Sequence, residues 1–313
     1  MQRFWILITI VVGLMAVACR PPPAVPDGGP LRIVSLAPSL TESLCAIGAG
    51  DLLVGRTSAC NYPPSVVDQV PIIGGFGHPS LELLVNAHPT LVLDIDLSDE
   101  SVAAQIAALG IPRHRIACDA LDDIAPMLRE LGQLTGHTQQ ANALATKIDS
   151  AIQEARTGAS DLRLPSIARR AKEGPPTADL RPPPPPPHPS VYAEVWHDPL
   201  TTIGSHTFLA DLIELAGGRI IAASVKKPYF QISPEQVVAE NPDVILCLYM
   251  GPSSGAAKRV ARRPGWQHIT AVQHDCVFGG LDNDILLRPG PRLLEGLEAM
   301  RACIGKAYAE RQP

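Results

Sequence analysis

Aromatic residues are scarce in this chain of 313 residues: Phe, Trp and Tyr make up 4% of it. Each aromatic near a cleft therefore carries more information than usual. Positive charge is not in excess. The 26 Lys and Arg residues face 31 Asp and Glu, for a net charge of −5, so the basic footprint of a nucleic-acid binder is missing. None of the seven cysteines forms a C-x-x-C pair, which argues against a zinc or dithiol redox centre. No H-E-x-x-H, Walker loop or G-x-G-x-x-G after a strand occurs, which moves the balance from an enzyme toward a binding protein. The apolar N-terminal run, residues 4–18, falls short of the ~20 residues of a membrane span.

What is present is a repeat. Residues 80–93 read SLELLVNAHPTLVL and residues 233–246 read SPEQVVAENPDVIL, at an offset of 153 with no gap. Five of the fourteen positions are identical and three more exchange one aliphatic residue for another. Each copy predicts a short helix, a proline stop and a buried strand. Ser80 and Ser233 are good N-caps, and Glu82 and Glu235 fall in the first turn, beside the positive end of the helix dipole. The pre-proline residues His88 and Asn241 end the helices. The apolar runs that follow suit a parallel sheet covered on both faces. Six residues before each glutamate stands an aromatic, Phe76 or Tyr229. A period this long, seen twice, indicates two related α/β units and not a solenoid.

Residues 1–18 read as a signal peptide: Arg3 is the positive flank, and Ala16, Val17 and Ala18 precede Cys19 like a cleavage site. The run resembles a bacterial lipobox with Cys19 as the lipidated residue, which predicts an extracytoplasmic, membrane-anchored chain; without lipidation the chain is simply exported. Residues 19–30, rich in Pro and Gly, read as a flexible tether. Cys45, Cys118 and Cys247 sit in apolar runs and read as core residues.

Residues 31–137 form the predicted N-terminal lobe and residues 190–313 the C-terminal lobe. Between them, residues 138–156 lack Gly and Pro, and Ala141, Leu144, Ala145, Ile148, Ile152 and Ala155 keep helical spacing. Residues 157–189 are proline-rich, with an unbroken run at 182–187, and read as a disordered spacer. Strands are expected at 32–36, 52–55, 116–118, 190–196 and 276–278, and helices at 41–47, 101–109, 124–134, 208–215 and 292–304. Residues 37–39 read as a turn and 279–291 as a loop.

Several residues have two readings. Glu82 and Glu235 either complement their helix dipoles or grip two basic sites on a partner, one acid per lobe. Tyr62, Phe76, Trp196, Tyr229 and Phe230 fall in predicted loops or at strand ends. There they either stack on a large flat ligand in the crevice beyond the strand carboxyl ends or plug the lobe interface. His78, His197 and His206 with Asp282 and Asp284 would need to converge to hold a bare ion; as isolated residues they are surface or hydrogen-bonding groups, and no metal is assigned. Cys60 is the one nucleophile to weigh for an enzyme.

The segments at 32–42 (RIVSLAPSLTE), 60–64 (CNYPP), 80–82 (SLE), 233–237 (SPEQV) and 288–293 (RPGPRL) together resemble the solute-binding proteins of ABC importers for cobalamin, haem and iron-siderophores. The similarity is greatest to the cobalamin binders. It covers residues 31–304 apart from the proline-rich insert. The resemblance implies two Rossmann-like α/β lobes joined by a single long rigid helix, with a ligand in the interlobe cleft and no catalytic residue or cofactor. It implies that Glu82 and Glu235 dock onto arginines of the permease dimer. It further implies that Phe76 and Tyr229 stack on a corrinoid, that Tyr62 and Trp196 line the cleft, and that Arg288 reaches a polar edge of the ligand. Haem or a ferric siderophore is the alternative ligand, with Tyr62, Tyr229 or His78 on the iron.

Overall fold

The structure, a computed structural model, describes residues 29–95, 100–161, 188–249 and 255–310. The signal peptide, Cys19, the tether up to residue 28 and most of the proline-rich insert lie outside the described residues.

Two six-stranded sheets organise the chain. The first holds β1 (Ile33–Ser35), β2 (Leu53–Thr57), β3 (Ile72–Gly75), β4 (His78–Pro79), β5 (Leu91–Asp94) and β6 (Arg113–Arg115), in the order β4-β3-β2-β1-β5-β6. All neighbours are parallel except β3 and β4. The second holds β7 (Ser190–His197), β8 (Leu200–Ile203), β9 (Arg219–Ile220), β10 (Tyr229–Gln231), β11 (Val244–Cys247) and β12 (Val277–Gly279). Its order is β10-β8-β7-β11-β12, with β9 also on β7.

The helices are α1 (Pro38–Ala46), α2 (Pro64–Val67), α3 (Leu81–Asn86), α4 (Glu100–Ala108), α5 (Ile124–Thr135), α6 (Thr138–Asp161), α7 (Phe208–Leu215), α8 (Pro234–Glu240), α9 (Ala256–Ala261), α10 (Thr270–Gln273), α11 (Asn283–Leu286) and α12 (Leu293–Glu310). Among the described residues no helix is long and apolar enough to cross a membrane.

The repeat survives in three dimensions. β5 and β11 keep the sequence offset residue for residue and occupy matching places, each flanked by parallel neighbours. Leu84 and Val237, equivalent positions, are the buried residues of α3 and α8. The pre-proline residues avoid the right-handed helical region as expected, yet they do so on the left-handed side, with φ of 46° at His88 and 45° at Asn241. Asn tolerates that conformation well because its short polar side chain bonds locally; here Asn241 Oδ1 accepts from the Thr270 N–H at 2.8 Å.

α6 runs five residues past its predicted end. Its predicted apolar stripe is the buried one: Ala141, Ala145, Ile148, Ile152 and Ala155 are each at most 3% exposed, and Leu144 is partly buried. It packs on α5 on one side and touches α7 and α12 of the second half. The approach to α5 is close because position 132 is Gly; a Cβ there would stand 2.3 Å from that of Ala141.

Several boundaries differ from the sequence expectation. The sixth strand is Arg113–Arg115, not 116–118; three polar residues hid an edge strand, and the apolar Ile116 and Cys118 are buried just beyond it. Residues 37–39 are not all turn, because Pro38 opens α1, where its missing N–H costs nothing. The expected loop at 279–291 contains α11, capped by Asp282, whose carboxylate accepts from the N–H groups of Asp284 and Ile285. Cys45 is only half-buried, whereas Cys118 and Cys247 are core residues.

Candidate functional site

The carboxyl ends of the parallel strands in both sheets open into one cleft of about 840 Å³. From the first half it is lined by the start of α1 (Pro38, Ser39), the loop after β2 (Ala59, Asn61), the β3–β4 turn (Phe76) and the segments after β5 (Ile95) and β6 (Cys118, Asp119). From the second half come Val195 on β7, Tyr229 on β10 and the segment after β12, residues 281–284 and 287–289. Strand ends supply such a crevice because the chain leaves each parallel strand there, and the loops are free to carry binding groups.

Phe76 and Tyr229 present open aromatic surface to this cleft, at 48% and 56% exposure. They are equivalent positions of the repeat, one from each half. The Tyr229 phenol is pushed above its ordinary value, first by loss of solvation and then by the Asp119 carboxylate of the opposite half.

Arg288 lines the cleft as expected, but it is engaged by protein. Its guanidinium donates to Glu42 Oε1 at 2.9 Å, Asn61 Oδ1 at 2.8 Å, the Ala59 carbonyl at 3.1 Å and Asp284 Oδ1 at 2.6 Å. Arg292 donates to both oxygens of Glu42 at 2.8 Å. Glu42, 4% exposed, thus accepts from two arginines of the other half. This network, which ties the halves together at the cleft, escaped the sequence reading: an acid in a short helix ordinarily faces solvent. The available signal was the i, i+4 spacing of Arg288 and Arg292 around Gly290.

Other expected lining residues lie elsewhere. Tyr62 is not on the cleft; the Arg292 guanidinium stacks over its ring at 4.1 Å from the centroid. Trp196 is 45% exposed and donates its Nε1–H to the Asp198 carbonyl at 2.8 Å; its strand neighbour Val195 is the lining residue, because successive side chains alternate across a strand. Phe230, next to Tyr229, contributes instead to a second, shallow hollow with Lys226 and Lys227. His78 is an exposed residue of the β3–β4 edge, paired with Gly75. Among the described residues no group of three His, Cys, Asp or Glu side chains gathers to hold a metal ion.

Cys60 is 1% exposed, with its Sγ against the Thr41 and Thr57 hydroxyls at 3.2 and 3.1 Å. A nucleophilic thiol needs access and a partner that favours the thiolate, and this burial provides neither. Cys118 does line the cleft, but burial, with Asp123 and Asp119, pushes its thiol up to about 12, so it stays protonated. One G-x-S-x-G string does occur, at 251–255. A nucleophile elbow places its serine on the sharp turn between strand and helix; here β11 ends at Cys247 and α9 begins at Ala256. Residues 250–254 lie outside the described ones.

Glu82 and Glu235 are exposed in the first turns of α3 and α8. Neither closes a box with its capping serine. On α8 that role falls to Gln236, whose Oε1 accepts from the Ser233 N–H at 3.0 Å while Ser233 Oγ accepts from the Gln236 N–H at 3.2 Å.

Comparison with known proteins agrees with this architecture. An uncharacterized ABC transporter substrate-binding lipoprotein of Bacillus subtilis, YvrC, is 29% identical over 280 residues, covering 88% of this chain and 80% of the relative. A vitamin B12-binding protein of Pectobacterium carotovorum is 29% identical over 278 residues, covering 88% and 87%. Among solved structures, the apo form of the periplasmic haem-binding protein RhuT from Roseiflexus sp. RS-1 superposes with a TM-score of 0.71 at 28% identity, over 89% of this chain and 99% of that one. The periplasmic vitamin B12 binding protein BtuF of Vibrio cholerae shares the fold, with a TM-score of 0.71 at 24% identity over 90% and 98%. A family model described as periplasmic binding protein matches residues 33–177 and 186–282. With two α/β sheets meeting at one cleft and a match over most of its length, the chain belongs to the periplasmic binding protein family.

Proposed function

We propose that this protein is an extracytoplasmic, non-enzymatic substrate-binding protein that delivers a cobalamin-like corrinoid to an ABC importer. The observation that carries this is the cleft itself: about 840 Å³ between the two sheets, with Phe76 and Tyr229 exposed to it from equivalent places in each half. Aromatic side chains contributed by both halves suit a planar macrocycle, which buries apolar area and stacks at once. The vitamin B12-binding relatives support the corrinoid assignment. In this reading α6 is the rigid connector of two lobes, residues 31–137 and 190–313. Glu82 and Glu235 dock onto the permease dimer, one per subunit, and Cys19 carries the lipid anchor.

Haem or a ferric siderophore is the second reading, favoured by Tyr229: of Tyr62, His78 and Tyr229 it alone lines the cleft. Visible-absorption titration of the purified apo-protein separates the two. Cyanocobalamin is expected to give a saturable one-to-one change, with ferric haem and ferric siderophores binding more weakly. Absence of any spectral or calorimetric response to a corrinoid, with saturation by haem or a siderophore, overturns the first reading in favour of the second.

A further inference from the structure

We propose that the cleft selects ligands whose edge donates hydrogen bonds and bears no negative charge, with Asp119 and Asp282 as the specificity-determining residues; this rests on the cleft being the ligand site. The charged residues lining it are Asp119, Asp282, Asp284 and Arg288, and both oxygens of Asp284 are taken up by Arg288 and Asn61. Arg288 is already committed, with hydrogen bonds to Glu42, Asn61, Ala59 and Asp284. Asn61 is committed as well, accepting from Arg288 and donating its Nδ2–H to Asp284 Oδ2 at 2.7 Å.

The charge at the cleft floor does not cancel. Glu42, Asp282 and Asp284 surround two guanidiniums, those of Arg288 and Arg292, with Asp282 reaching Arg292 at 3.8 Å. One negative charge is left over, and Asp119, exposed in the segment after β6, adds another. Carboxylates accept hydrogen bonds and donate none, whereas a primary amide donates two. A macrocycle rimmed by amides therefore meets complementary partners here. One rimmed by carboxylates meets like charge and no donor. Lys226 and Lys227 line the separate hollow that shares only Tyr229 with the cleft.

The test keeps the ring constant and changes its rim. Dicyanocobinamide, with amide side chains, and dicyanocobyrinic acid, with carboxylic acids on the same ring, are titrated against the full chain at low and high salt. The amide form is expected to bind at least about tenfold more tightly at low salt, with the gap shrinking as salt screens exposed charge. In the Asp119→Asn/Asp282→Asn variant the gap should fall several-fold; Asn also caps helices, so α11 keeps its start. Lys226→Gln/Lys227→Gln should leave the gap unchanged. Equal affinities, a preference for the acid, a gap untouched by the aspartate variant or a gap altered by the lysine variant overturns the proposal. If neither corrinoid binds, the corrinoid reading fails by itself. The charge rule is then read on cationic ferrioxamine B against anionic ferric enterobactin. Preference for the anion, or binding of neither, overturns it.

Discussion

At the scale of single residues, Glu42 matters most to how the halves meet. It is nearly fully buried and receives Arg288 and Arg292, which are themselves only 14% and 11% exposed. Breaking a buried pair from one side leaves uncompensated charge and typically costs about 3–5 kcal/mol. Glu42→Ala is therefore expected to lower the unfolding free energy by about that amount, read by urea denaturation, with Glu42→Gln losing less because it still accepts hydrogen bonds. A loss below about 1 kcal/mol for the alanine variant would mean the network contributes no more than a surface ion pair. The sequence made this triad hard to see because its members are 246 and 250 residues apart. Phe76 and Tyr229 were visible because the repeat marks them twice. Tyr62 and Trp196 carry no such mark, and each has found a protein partner away from the cleft.

At the scale of elements, the two copies of the glutamate helix differ in how they begin. Ser233 and Gln236 form a reciprocal box, whereas Ser80 Oγ accepts from the Leu83 N–H at a long 3.4 Å. Ser233→Ala is thus expected to cost about 1 kcal/mol and Ser80→Ala about half of that. Thermal melts of the two variants compare them; an equal or reversed order would contradict the geometry. The longer helices were legible, because 3.6-residue spacing and Gly or Pro stops are local signals, whereas the four-residue α11 lay in an expected loop. β6 was not legible either, since its three residues read Arg-His-Arg and are held by pairing with β5 and by the Arg113–Asp94 ion pair at 2.6 Å. Strand pairing of that kind is a tertiary fact that alternation cannot register in three polar residues.

At the scale of the whole molecule, two expectations follow. The first is alkaline sensitivity. Burial, ahead of nearby charges, raises the thiols of Cys45 and Cys303 to about 11 and of Cys118 and Cys247 to about 12, against 9.0 for a free thiol. The unfolded chain releases these protons first, so the native state binds more protons between pH 9 and about 12. The contribution of these thiols to stability is full below pH 9 and is lost as pH rises through that window. Denaturant midpoints at neutral pH and at increasing alkaline pH should decline accordingly, and a flat profile would exclude it. The second expectation is functional. Glu82→Ala with Glu235→Ala should abolish uptake in cells while ligand affinity stays at wild type, since both side chains are exposed and neither lines the cleft. Uptake that persists would place docking elsewhere.

The amino-acid sequence by itself determined the duplicated unit, the longer helices, the buried strands and the apolar stripe of α6. These depend on short-range periodicity and on the backbone preferences of Ser, Gly and Pro, which act before any distant contact forms. Only the tertiary structure decided which aromatics face the cleft, where Arg288 spends its hydrogen bonds, and that the cleft floor is left with negative charge. Those outcomes require the two halves to meet, and the free energy of a charge depends on the partners and the solvent around it once they have met.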